Sequence, residues 1–167
     1  MLRFFVPPAV TVVVLNYNGR RWLHACLGAL RAQREAPPYD VLLVDNASTD
    51  GSVETVRRDF PDVRIVETGA NLGFAEGNNV GARAAAGDWL AFLNNDTEPE
   101  PAWLARLWAA AAAKPEFALF TSRLVFLDDP SRIDSAGDGY LCAGGAFKHG
   151  HGAPASAFAE SREVFGA

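Results

Sequence analysis

"VTVVVLNYNG", residues 10–19, sets a β-branched apolar run against an abrupt polar stop. An apolar run of this length without polar alternation fits a strand covered on both faces, as in a parallel sheet with helices on either side. It ends at Asn16-Tyr17-Asn18, so amide and phenol groups gather where the strand leaves the sheet. Working outward, Leu23, Cys26, Leu27 and Leu30 fall at i, i+3, i+4 and i+7, which predicts a helix ending before Pro37. A second buried strand, "VLLV" at 41–44, runs into "DNASTDGS"; Val53, Val56 and Phe60 then mark a short helix with Asp50 or Ser52 as N-cap, closed by Pro61. "VRIV" at 63–66 reads as a third strand. "GFAEGNNVGARAAAG" at 73–87 reads as a small-residue helix opened near Gly73 and closed by Gly87, and "WLAFL" at 89–93 as a fourth strand.

Beyond it, Pro99 and Pro101 suit the first turn of a helix whose Leu104, Leu107, Trp108 and Ala111 share a face, with Lys114 and Pro115 closing it. "FALF" at 117–120 and "LVFL" at 124–127 are candidates to pair as strands on either side of Arg123. From Asp128 onward the chain is dense in Gly, Ala and Ser without a period, the pattern of a mobile or poorly ordered loop. Strands alternating with helices predict an α/β fold: a mostly parallel sheet with helices on both faces, joined by right-handed crossovers.

At 167 residues and 49% apolar content, the chain suffices for one domain with an ordinary core, spanning 1–167. A net charge of -5 argues against a general nucleic-acid surface, since phosphate-binding chains carry clustered Lys and Arg. An anionic ligand then needs local help, such as a metal. Cys26 and Cys142 show no ligand spacing and are too few for a disulfide framework, which favours a reducing compartment. The start, "MLRFFVPPAV", is too short in its apolar run for a signal peptide, and no stretch of about 18 apolar residues is present to span a membrane.

In open α/β sheets the ligand crevice lies beyond the carboxyl ends of the strands, where strand order reverses. Three strands end in polar clusters: Asn16-Tyr17-Asn18, Asp45-Asn46-Ala47-Ser48 and Asn94-Asn95-Asp96. On one sheet edge these three would make a site. A dinucleotide fingerprint is absent after the first strand, where "NYNGRRWL" holds a single glycine, and there is no GxxxxGK[ST] phosphate loop. Gly73, Gly77 and Gly81, four apart with polar flanks, fit a close helix-to-sheet contact.

The succession "VVVLNYNG", "VLLVDNASTDGS", "NLGFAEGNNVGARAAAGDWLAFLNNDTEP" and "PAWLARL" resembles the family 2 glycosyltransferases of GT-A fold, in particular the rhamnosyltransferase-like branch of bacterial sugar-polymer assembly. The likeness runs from residue 10 to about 125. It implies a Rossmann-like nucleotide-binding half, incomplete on its C-terminal side, with 128–167 loop-rich and facing the acceptor. It further implies transfer of a sugar, with inversion, from a nucleotide-diphosphate donor (dTDP or UDP favoured) to a glycan or lipid-linked acceptor in polysaccharide biosynthesis at the bacterial envelope. The corresponding location is cytoplasmic, at the inner face of the membrane if peripheral association occurs.

By the same resemblance Asp45 holds the nucleotide with Asn46 beside it, a carboxylate accepting from a base N–H or ribose hydroxyl. An Asx-turn or helix cap made by Asp45, Asn46 and Ser48 is the other account of these residues. Asn16 stands at the same edge, and Tyr17 is placed either to stack on the base or to pack. Asn71, Gly73 and Asn78 line the nucleotide pocket at a helix start, or make a glycine-enabled turn with an Asn cap. The family's DxD-type motif falls on Asn94-Asn95-Asp96, with Asn95 beside the diphosphate. Only Asp96 there is acidic, and it is assigned a Mg²⁺ or Mn²⁺ ion that also binds phosphates and water. The general base belongs to a later acidic motif expected beyond residue 167; Asp134 and Asp138 read as solvated loop carboxylates, and His149 and His151 as side chains without a metal role. A non-catalytic nucleotide-sugar binding module is the alternative, whereas a nucleotidyltransferase would want a Gly-rich basic signature after the first strand.

Overall fold

The computed structural model describes residues 8–166. The expectation drawn from the chain start therefore lies partly outside the described residues. Two compact units are present, Met1–Ala105 and Arg106–Ala167.

In the first unit, four strands form one parallel sheet: β1 (Val10–Asn16), β2 (Tyr39–Asp45), β3 (Arg64–Glu67) and β4 (Trp89–Asn94), in the order β3-β2-β1-β4. Helices α1 (Arg20–Arg31), α2 (Ser52–Asp59) and α3 (Gly73–Ala84) connect them, and α4 (Trp103–Ala113) follows. The four strands, α1, α2 and α3 stand where periodicity placed them. The chain steps outward from β1 to β3, then returns to place β4 on the far side of β1. With crossover handedness fixed, reversing direction moves the connecting helix to the opposite face. The packing agrees. Val10, Val12, Val14 and Leu43 pack with Leu23, Cys26, Leu27 and Leu30 of α1 and Val56 of α2. Val13, Leu42 and Val44, on the alternate face, pack with Val80 and Ala84 of α3. The two faces of "VTVVVL" are thus buried by different helices, and each fully buried Val or Leu contributes about 1.5–3 kcal/mol.

Gly77 and Gly81 are the contact points of α3. A methyl at Gly77 would meet Leu15 Cδ1 at 2.5 Å, and one at Gly81 would overlap Val13 Cγ1. Gly73 does not share that role: it opens the helix at φ +79, in the left-handed region where an L side chain is strained.

β4 is an edge strand among the described residues. Ala91 and Leu93 pack against the α1 side, while Leu90 and Phe92 on the other side stay exposed, Phe92 by 51%. Pro99 and Pro101 precede α4 instead of forming its first turn: helix geometry begins at Trp103, and Pro101 supplies a carbonyl to the Arg34 amide at 2.7 Å. Of the four residues expected on its inner face, Leu104 is buried.

The second unit is more ordered than its composition suggests. β5 (Leu124–Val125) pairs antiparallel with β6 (Ile133–Ser135), and β7 (Asp138–Tyr140) with β8 (Ala146–Lys148), followed by a 3-10 turn at Ala155–Phe158. The pairing expected between "FALF" and "LVFL" is corrected here, because residues 117–120 form no strand and β5 takes β6 as partner. Strands of two or three residues are too short to show a period of two, and glycines at positive φ, Gly137 between β6 and β7 and Gly144 between β7 and β8, make turns between them. Lys148 Nζ donates to Asp134 Oδ1 at 2.9 Å, and His151 Nδ1 lies 2.9 Å from the Asp134 carbonyl. Among the described residues no group of three or more His, Cys, Asp or Glu is arranged to hold a metal ion, and no helix is long and apolar enough to cross a membrane.

Candidate functional site

Register sets the site. Asn16 is level with Asp45 across β1 and β2, Asp45 with Glu67, and Leu15 with Asn94, so the polar ends of β1, β2 and β4 lie side by side on one carboxyl edge. β1 is the strand from which order reverses, which is where an open α/β sheet leaves its crevice.

Asn16 is the centre of this edge. It is fully buried, and its Nδ2 donates to Asp45 Oδ1 at 3.0 Å and to Ser48 Oγ at 3.0 Å. Its Oδ1 accepts from Asn95 Nδ2 at 2.7 Å. Asp45 Oδ2 accepts from the Ser48 amide at 2.9 Å, closing the Asx-turn seen as one account of this segment. Each carboxylate oxygen of Asp45 still has acceptor capacity, so the turn and a ligand contact are compatible.

A second knot joins β2 to α3. Asn46 is buried, and its Nδ2 donates to Asn71 Oδ1 at 2.8 Å and to the Gly73 carbonyl at 3.1 Å. Its Oδ1 accepts from the Leu72 amide at 2.9 Å. Both of its donors are committed within the protein. Asn71 Oδ1 also accepts from the Gly73 amide at 3.0 Å, which fixes the left-handed turn that starts α3. Asn78 lies a turn into that helix, where its Nδ2 donates to the Phe74 carbonyl at 3.0 Å, so it is not part of the strand-end network. Tyr17 is 52% exposed above the end of β1.

Asp96 sits exposed in the turn after β4, where the Thr97 amide and hydroxyl both donate to the Asn94 carbonyl, at 3.2 and 2.6 Å. Its charge reaches inward. Burial first, then the carboxylates of Asp96 and Glu98, push the Cys26 thiol up to about 12. One exposed carboxylate on a turn is a donor set that suits Mg²⁺ or Mn²⁺, which take one or two carboxylates and complete their shells with phosphate and water.

Sequence reasoning placed Ser48 and Asp50 as caps; the structure gives them wider roles. Ser48 Oγ also accepts from the Asn18 amide at 2.9 Å, and Asn18 Oδ1 from the Thr49 amide at 2.8 Å, stitching the β1 and β2 loops together. Asp50 accepts from the Arg20 amide at 2.9 Å and the Ser52 amide at 3.1 Å, serving the first turns of α1 and α2 at once. Burial opposes its ionisation, but the Ser52 hydroxyl and these amides outweigh that and hold the carboxyl below its ordinary range. In the sequence Gly19 reads as part of a polar stop and as the single glycine that fails a dinucleotide fingerprint. Its role is spatial: a methyl there would overlap Asn95 Nδ2 and come within 2.6 Å of Asn16 Oδ1.

Comparison with known proteins gives this arrangement a family. Residues 11–160 match the model of glycosyl transferase family 2, and the chain belongs to that family. An N-acetylglucosaminyl-diphospho-decaprenol L-rhamnosyltransferase of Mycobacterium tuberculosis is 35% identical over 115 residues, covering 62% of this chain and 37% of the relative. An uncharacterized glycosyltransferase of Haemophilus influenzae is 36% identical over 87 residues, 52% of this chain and 29% of the relative. This chain thus spans about a third of the length of these curated relatives. Among solved structures, the mannosyltransferase PcManGT of Pyrobaculum calidifontis, in complex with GDP-Man and Mn²⁺, superposes with a TM-score of 0.53 at 29% identity, over 81% of this chain and 36% of that one. Residues 1–349 of S. aureus TarS in complex with UDP give a TM-score of 0.55 at 25% identity, over 64% of this chain and 32% of that one. The fold is the α/β GT-A arrangement expected from the sequence.

Proposed function

We propose, from the premise that this chain is a family 2 glycosyltransferase, that its sheet edge binds a nucleotide-diphosphate sugar and serves as the donor half of an inverting transferase. The observation that carries the reading is the level alignment of Asn16, Asp45 and the Asn94-Asn95-Asp96 turn on one carboxyl edge, already bonded to one another before any ligand arrives. A site whose polar groups are held in place needs little reorganisation when a polar ligand binds.

The roles divide along the edge. Asp45 accepts from the base or ribose with the lone pairs left after Asn16 and Ser48 are served, and exposed Tyr17 offers a ring for stacking. Asn46 acts on the ligand through the segment it holds, keeping Asn71 and Gly73 in place at the start of α3. Asn78 belongs to the rim of that helix. Asp96 would hold Mg²⁺ or Mn²⁺ with Asn95 alongside, and the ion when bound neutralises charge gathering on the departing nucleotide diphosphate. The donor is a dTDP- or UDP-sugar and the acceptor a glycan or lipid-linked saccharide, which sets the work at the cytoplasmic side of the bacterial envelope. The carboxylate that deprotonates the acceptor hydroxyl is assigned neither to Asp134, which is paired with Lys148, nor to Asp138, whose spacing marks no base.

The PcManGT complex with GDP-Man and Mn²⁺ supports a metal-assisted donor site. Calorimetry with UDP, dTDP and GDP, each with and without Mn²⁺, tests the reading. We expect binding strengthened by Mn²⁺, and Asp96→Ala to abolish the Mn²⁺-dependent part while the circular dichroism is unchanged. A folded sample that binds none of the three refutes the donor site, and an unchanged Mn²⁺ effect in Asp96→Ala refutes the role of that residue. Metal-dependent binding with no transfer to any acceptor identifies a binding module.

A further inference from the structure

We propose that Asn16 is the positioning residue that joins the two halves of this site, fixing the orientation of the Asn95 amide beside Asp96, and that the glycine at position 19 leaves room for that contact. The inference rests on the donor-site reading above and concerns how the site is held together.

The argument follows the polarity of the hydrogen bonds. Asp45 is buried and, when ionised, can only accept. The amide atom of Asn16 facing it must therefore be nitrogen, and the second N–H of that group goes to Ser48 Oγ. Asn16 is left to present its oxygen to Asn95, so Asn95 must answer with its own nitrogen, at 2.7 Å. The carbonyl oxygen of Asn95 is then the end of its amide without a protein donor among the described residues. A charge on β2 thus dictates, through two amides, that an oxygen and not an N–H is left over next to Asp96. Near a divalent cation that difference decides between attraction and repulsion, since hard cations take oxygen ligands. A carboxylate at position 95 would face the Asn16 oxygen, and Asn16 cannot rotate without turning that oxygen on Asp45.

Gly19 completes the device. It has φ -104, which any residue adopts, so conformational freedom does not explain a glycine here. Space does: the missing Cβ is the volume that the Asn16–Asn95 bond occupies.

The test is the increment that Mn²⁺ adds to UDP affinity, measured by calorimetry on the full chain, with UMP binding in the absence of metal as the second readout. Gly19→Ala should cut the Mn²⁺ increment by roughly three- to tenfold, the fold-change of one lost amide hydrogen bond. Its metal-free UMP affinity should stay within about twofold, because Asp45 keeps Asn16 and Ser48. Asn95→Ala should cut the increment by a similar factor, and the Gly19→Ala/Asn95→Ala double variant by no more than either alone, since both remove one contact. An effect that is additive in the double variant, or that weakens UMP and Mn²⁺-UDP alike, overturns the inference. If Gly19→Ala does not fold, Asn95→Ala is compared with Asn95→Gln, whose longer side chain keeps an amide but not its bond to Asn16 Oδ1: equal loss of the Mn²⁺ increment in both upholds the inference, and a full increment in Asn95→Gln overturns it. A wild-type chain that binds no nucleotide would instead overturn the donor site itself, so the two failures are distinct.

Discussion

A glycine-to-alanine series separates what helices want from what the sheet allows. Alanine in a helix interior is better than glycine by about 0.5–1 kcal/mol, because it gives up less backbone entropy. At Gly28 in α1 an added methyl meets nothing within 4 Å, so Gly28→Ala should stabilise by that amount. At Gly77 the methyl meets Leu15 Cδ1 at 2.5 Å and Cδ2 at 3.2 Å, the far end of a side chain that can rotate; gain and strain should nearly cancel. At Gly81 it overlaps Val13 Cγ1 and comes within 3.0 Å of Val44 Cγ2. Both valines are β-branched, stiff at χ1 and fully buried, so neither can swing away. Overpacking costs about 1–3 kcal/mol, and with the helix gain subtracted Gly81→Ala should destabilise by about 1–2 kcal/mol. Urea unfolding followed by tryptophan fluorescence reports on the right unit, because Trp22, Trp89 and Trp103 belong to the first compact unit. With a urea m-value of about 1–3 kcal/mol/M, the midpoints of Gly28→Ala and Gly81→Ala should lie about 1 M apart. Equal midpoints, or Gly81→Ala above wild type, would mean that α3 does not rest on β1 and β2, and with it the seat of Asn71 and Gly73 would be lost.

The Cys26 thiol, pushed up to about 12, should resist an aromatic disulfide reagent at pH 8 while exposed Cys142 reacts within minutes. Two thiols reacting rapidly in the native protein, or a fast thiol surviving in Cys142→Ser, would contradict the burial of α1. Asp50→Ala removes an acceptor from the first turns of α1 and α2 and should cost about 1 kcal/mol at pH 7. Its folded pKa is lowered, so the stability it contributes is present above the ordinary value near 3.8 and is lost as pH falls through the lower folded value. Wild type and variant should therefore converge in acid; a gap that widens below pH 4 in urea titrations would reverse the sign of this argument.

The parts of the fold legible in the sequence are those that repeat. β1, α1 and β2 could be read because their apolar residues recur at intervals of one, or of three and four, and the helix stripe Leu23, Cys26, Leu27, Leu30 is the buried set of α1. β4 shows the limit of that reasoning. "WLAFL" is as apolar as a central strand, yet it lies at the sheet edge among the described residues with Phe92 in the open, because an apolar run reports composition and not neighbours. The second unit failed to register for the opposite reason, since strands of two or three residues have no period to read.

The site was legible as residue types and illegible as connections. Asparagine at the ends of β1, β2 and β4 marked a polar edge, but the bond from Asn95 to Asn16 spans 79 positions and depends on strand order and register. Once that register is known, much of the rest follows from charge alone. An acceptor-only carboxylate at Asp45 orients Asn16, Asn16 orients Asn95, and the volume their bond needs is what makes position 19 a glycine. Asn94-Asn95-Asp96 lacks a second acid next to Asp96, and in the proposed site the relay would supply a partial substitute: the Asn95 amide oxygen, whose nitrogen is taken by Asn16. Such an oxygen is a weaker cation ligand than a carboxylate. The protein alone should therefore bind Mn²⁺ poorly and bind it well only when a diphosphate brings the missing negative charge; Mn²⁺ titrated into the protein with and without UDP measures that order, and equal affinity in the two would refute it.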